Sequence, residues 1–92
     1  MKASVGRIVH VNMDPGANNS QEFSPGIIVA VWNDGTGDEA ALVNIKVFPD
    51  SDQAAIWYTS IKLYDTRGVA ETARQNAGLP LTGIYAWWPE RD

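Results

Sequence analysis

The chain has 92 residues, 11 of them acidic and 7 basic for a formal charge of −4, with no cysteine and one histidine, His10. That length allows one hydrophobic core and not two, so a single small β domain spanning residues 1–92 is expected. The absence of cysteine excludes disulfides and thiolate chemistry, a lone histidine cannot build a multi-histidine metal centre, and the missing basic face argues against genomic nucleic acid as a partner.

Apolar residues fall into short runs separated by Gly, Pro, Asn and Asp, the spacing of a β-meander or small barrel. Strands are expected at residues 5–12, 27–32, 41–48, 55–63 and 83–88. The fold class that follows is all-β or mainly β, a small five-stranded SH3-like barrel or meander with at most one short helix near residues 69–77. Residues 13–26, with Asp14-Pro15-Gly16, Asn18-Asn19 and Ser24-Pro25-Gly26, read as a long loop of turn-forming residues. The second strand is apolar on both faces, which suggests a central strand or one covered by a partner chain.

Asn33-Asp34-Gly35-Thr36-Gly37-Asp38 reads as the hairpin connection to the third strand, and Pro49, which cannot donate to a ladder, ends that strand. In the third strand Val43, Ile45 and Val47 oppose Asn44 and Lys46; in the fourth, Trp57, Thr59, Ile61 and Leu63 share the side that should face the core, against Tyr58, Ser60 and Lys62. Residues 65–78 carry helix formers, with Gly78 placed to stop a turn or two of helix, and read equally as an ordered loop; with only Ala and Val as an apolar face, this segment should pack lightly and move easily.

No serine has a nucleophile-elbow context and no glycine loop is followed by the lysine and hydroxyl of a P-loop, so His10 reads as a strand histidine at an edge or interface and no catalytic residue is expected. Asp34, Asp38 and Glu39, and then Asp50 and Asp52, crowd two turns without the spacing or terminal glutamate of a calcium loop; solvated turn carboxylates are expected, and no metal or cofactor. No run approaches ~18 apolar residues and no apolar leader follows the first residues, so a soluble cytoplasmic protein without a membrane partner is expected.

The aromatic load is the outstanding feature: Trp32, Trp57, Trp87, Trp88, Tyr58, Tyr64, Tyr85, Phe23 and Phe48. Trp87 and Trp88 are adjacent on a strand and point to opposite faces, so one of them is expected in an interface or binding surface. Arginines beside such rings complete a site for a flat anion by a forked contact to phosphate and by stacking. The ligand-binding candidates are therefore Trp88, Arg91, Arg7, Trp87, Tyr85 and Arg67, with Arg74 also on the light helical segment. A homo-oligomer is the expected assembly, because so many rings exceed what one thin core hides.

The opening Val5-Gly6-Arg7-Ile8-Val9-His10-Val11, the run Pro25-Gly26-Ile27-Ile28-Val29-Ala30-Val31 and the ending Trp87-Trp88-Pro89-Glu90-Arg91 together resemble a group of small phage-encoded proteins. The likeness covers roughly half the chain and diverges at residues 66–80. It implies phage origin, hence a host cytoplasm, and a small β-barrel; it transfers no activity and no site residue. Small non-enzymatic phage proteins often counter host defence, which makes sequestration of a small nucleotide-like ligand, a cyclic-nucleotide or ADP-ribose-type signal, the functional expectation. A virion or assembly component, or a protein-partner inhibitor with no small-molecule ligand, is the alternative.

Overall fold

The computed structural model describes residues 2–37, 40–51, 54–78 and 84–89. Its strands are β1 (Ile8–Asn12), β2 (Phe23–Asn33), β3 (Ala41–Val47), β4 (Ile56–Tyr64) and β5 (Ala86–Trp87), with a 3-10 turn at Pro15–Ala17 and one helix, α1 (Arg67–Asn76). The five strands close into a barrel in sequence order. The first four pair antiparallel, while β5 runs parallel to β4 because α1 returns the chain before β5 is laid down. The mainly β barrel with one short helix is thus the fold expected, and its closure runs through the two residues of β5, which pair with Leu63 and Tyr64 at the end of β4.

The differences from the sequence reading have local causes. β1 starts three residues late, because Gly6 adopts φ 92° and its N–H bonds the Ile28 carbonyl, turning the chain at Val5-Gly6-Arg7. Ser24-Pro25-Gly26 belongs to β2, not to the loop. Pro25 is tolerated because its carbonyl accepts from Phe48 N at 3.0 Å, one residue past the end of β3, where its missing N–H interrupts no continuing ladder. Gly26 is an inward position of β2: a Cβ there would lie 2.5 Å from Ile45 Cγ2 and 3.2 Å from both the Lys46 carbonyl and Val11 Cγ2. The loop itself is tied down by Asn18, which is fully buried, donates from Nδ2 to the Gln21 and Phe23 carbonyls, and accepts at Oδ1 from Ser24 Oγ and Asp50 N. α1 begins at Arg67, two residues before the expected helix, because the Thr66 side chain caps the Val69 N–H.

β4 does not keep one alternation. Its register against β3 slips between Val43 and Ile45, so that Val43 faces Ile61 but Ile45 faces Tyr58. The extra residue is absorbed at Ser60, whose φ of 57° marks the bulge, and Ser60 N, Thr59 Oγ1 and Trp32 Nε1 all donate to Asn44 Oδ1 at 2.9 Å. Ile61 and Leu63 therefore point inward as expected, whereas Trp57 and Thr59 do not: below the bulge the inward residues are Ile56 and Tyr58.

The barrel interior is filled by Val9, Val11, Ile28, Val43, Ile45, Val47, Leu63 and Trp88, among others. A second, smaller cluster lies outside the barrel wall, where Ala70 of α1 covers Tyr85 and Trp87, with Tyr64 packed beside them. Both tryptophans of the pair are buried, Trp87 at 2% and Trp88 at 6% exposure, which corrects the expectation that one would face an open surface: α1 covers the outer side of β5 while the barrel encloses the inner side.

Gly26→Ala is predicted to destabilise the barrel by about 1–3 kcal/mol, because its methyl must displace the fully buried, β-branched Ile45. Urea unfolding with an unchanged slope would show the loss as a lower midpoint.

Candidate functional site

Two groups of side chains separate on either side of β5. On the barrel side the Arg7 guanidinium stacks over Trp88, 5.4 Å from the ring centroid. On the helix side a ring cluster forms around Trp87, with Tyr85 at 5.7 Å, Phe23 at 5.6 Å and His10 at 6.3 Å. Arg67, from the first turn of α1, lies over two of these rings, 5.3 Å from Phe23 and 5.5 Å from Trp87. The expected site residues are thus brought together as Arg67, Trp87 and Tyr85 in one place and Arg7 with Trp88 in another, while Arg91 lies outside the described residues. Asp38, Glu39 and Asp52 of the acidic turns also lie outside them.

The helix-side group borders a cleft of about 260 Å³. It is lined by Asn12, Met13, Pro15 and Glu22 from β1 and its connection to β2, and by Arg67, Glu71 and Tyr85 from α1 and the approach to β5. Its electrostatics are paired. Arg67 Nη2 contacts Glu22 Oε2; Tyr85 Oη donates to Glu71 Oε1 at 2.6 Å; and Arg74 Nε donates to Glu71 Oε2 at 3.3 Å. The Tyr85 hydroxyl, and after it the Arg74 contacts, hold the Glu71 carboxyl below its ordinary range. Burial, then the bond to Glu71, pushes the Tyr85 phenol up to about 12, so it remains a donor throughout the neutral range. His10 is held below its ordinary value by burial among the rings and is neutral at pH 7.

Glu22, Glu71, Asn18 and Asn44 were not singled out by sequence. Asn18 and Asn44 were legible only as a turn residue and an outward strand residue, and the one further signal was the i,i+3 spacing of Glu71 and Arg74 on a helix. Among the described residues no group of three or more His, Asp or Glu side chains stands where it could hold a metal ion.

A different surface is open. Besides Phe23 of the helix-side cluster, three large rings are more than a third exposed, Trp32, Phe48 and Trp57, and none of them was a ligand candidate. On the outer wall Ile8 of β1, Ile27 of β2, Lys46 of β3 and Trp57 of β4 stand in register across four strands. Val29 and Phe48 extend this surface above and below, and Trp32 covers Asn44. The two-sided apolar character of β2 therefore resolves into one face in the barrel and one face outward.

Comparison of the chain with family models, with curated proteins and with solved structures finds no match.

Two predictions follow from the paired charges and the neutral imidazole. Because the folded-state value of His10 lies below 6.5, the stability linked to it is complete above 6.5 and is lost as pH falls through the folded value. Melting temperature should therefore already decline on acidification from pH 7, before carboxylates titrate, and His10→Gln should flatten that early decline. Tyr85→Phe should cost about 1 kcal/mol and raise the Glu71 pKa toward 4.5, read by carboxyl carbon NMR, since the phenol is the largest influence holding that carboxylate ionised.

Proposed function

We propose that this chain is a non-catalytic binding module that works through its outer barrel wall, and that the partner seated on that wall is a second copy of the chain. The observation that carries the reading is the exposed apolar surface of Ile8, Ile27, Val29, Phe48 and Trp57 in a protein whose strands otherwise close on themselves. With aromatics offering up to ~250 Å² each and the aliphatics somewhat less, their exposed fractions sum to on the order of 500 Å². A standard interface buries ~800 Å² per partner, of which somewhat more than half is apolar, so this surface supplies the apolar share of one complete interface.

Charge on this wall is sparse. The chain carries −4 overall, which keeps copies apart, but among the outward positions of β2 and β3 the one charged side chain is Lys46. This wall is where two acidic copies meet without bringing acidic strand residues together, with the Lys46 of each copy the one charge to be kept apart. A two-fold pairing of it would bury the same surface twice.

Sequestration of a nucleotide by stacking on Trp87, Trp88 or Tyr85 has less support. These rings are 2%, 6% and 5% exposed, and a cleft of about 260 Å³ is smaller than the ~300–1,000 Å³ that encloses a drug-sized ligand. An assembly or protein-binding role fits the open rings better.

Sedimentation equilibrium is expected to show a concentration-dependent dimer. Ile27→Lys, which sets a second cation beside Lys46 on each copy, should yield a monomer with an unchanged circular dichroism spectrum. Wild-type protein that stays monomeric at every accessible concentration would overturn the reading.

A further inference from the structure

The α1 cleft and the outer wall share no lining residue, and the cleft carries an inference of its own. We propose that it binds a small oxyanion, a carboxylate or phosphate group on a compact apolar body, by exchanging that group for Glu22 on Arg67.

Arg67 is positioned for this in advance. Its Cζ lies 5.3 Å from the Phe23 ring centroid and 5.5 Å from that of Trp87, two rings inclined at 68° to each other, so the cation is confined between them while its Nη2 is left to meet an oxyanion. The acceptor now on that edge is the Glu22 carboxylate. Glu22 is a weak competitor: its side chain is 65% exposed, and an exposed ion pair contributes little. It is also independently anchored. The Glu22 carbonyl accepts from Met13 N at 2.9 Å, so the carboxylate can swing out without releasing the backbone beside β1.

The other carboxylate in the cleft does not contend for the same place. One Glu71 oxygen is taken by the Tyr85 hydroxyl and the other by Arg74. Its oxygens are occupied, although its charge also acts on Arg67, so the contact an incoming anion must displace on Arg67 is that of Glu22. Met13 and Pro15 supply the apolar wall, and the volume of about 260 Å³ suits a single ring rather than a dinucleotide. Glu22 therefore stands where the ligand's oxyanion would bind, as an internal substitute for it.

The test is a titration of the whole chain with benzoate, phenyl phosphate and benzamidine, followed by amide proton–nitrogen NMR. The first two should produce saturable shifts at Met13, Arg67 and Tyr85, and benzamidine, with the same ring and the opposite charge, should not. Whichever of the two anions binds more tightly identifies the ligand as carboxylate or phosphate. Glu22→Gln, an exposed change that leaves the barrel untouched, should tighten binding roughly three- to fivefold by removing the competitor. Arg67→Gln should weaken it by about tenfold or more. Absence of saturable shifts, equal binding of benzamidine, or a Glu22→Gln variant that binds no more tightly would each overturn the proposal, and none of these results bears on self-association through the outer wall.

Discussion

The barrel depends on a closing strand of two residues. β5 contributes only Ala86 and Trp87 to the ladders, pairing Val11 and His10 of β1 on one side and Leu63 and Tyr64 of β4 on the other. So few hydrogen bonds cannot hold a seam by themselves, since each is worth about 1 kcal/mol net. The seam is held by side chains. Trp88 fills the barrel beside it, and Tyr85 and Trp87 are covered from outside by α1, so that alternation along four consecutive residues drives large rings into two separate apolar clusters. Burying a tryptophan on each side of the strand contributes on the order of 2–3 kcal/mol per ring, more than the ladder it closes.

The same arrangement explains why the helix exists. A ten-residue helix with one fully buried alanine would be marginal alone. Here the Thr66 cap closes its first turn, and the Glu71 bond to Tyr85 and the Arg67 contacts with Phe23 and Trp87 fasten it to the barrel wall at two points. The polar groups of the cleft are in this sense the attachment of α1, and the cleft is the space left between that attachment and the connection from β1 to β2. Stability and any binding in the cleft are consequently coupled through the same few side chains.

Bulges decide which apolar residues are left outside. The slip at Asn44 rotates β4 by one residue, sends Trp57 outward and brings Tyr58 in, and the irregularity in β2 between Ile28 and Ala30 turns Val31 toward the core and Trp32 to the outer face, whereas Val29 is outward by plain alternation with Ile27. Asn44, an outward residue, is nonetheless buried at 6% because Trp32 and Thr59 close over it, which keeps its oxygen from water and makes the bulge hydrogen bonds stronger. The bulges thus add Trp32 and Trp57 to an outer wall on which alternation already places Ile8, Ile27 and Val29.

Length, the spacing of apolar runs and the placement of Gly and Pro determined the number of strands, their order and the hairpin after Asn33, because these are local properties of backbone preference and period, while residues 65–78 were readable equally as a short helix or an ordered loop. Alternation also placed Val43, Ile45 and Val47 in the core. What only the tertiary structure decided was everything that depends on register: that Ser24-Pro25-Gly26 extends a strand, that β4 changes face at Ser60, that both Trp87 and Trp88 are covered, and that Arg67 meets Glu22 across 45 residues of sequence. The site candidates were legible as residue types, since rings and arginines are chemically distinctive. Their division into two groups was not, because one added residue in a strand turns every later side chain to the opposite face, and no local pattern records where the neighbouring strand will absorb it.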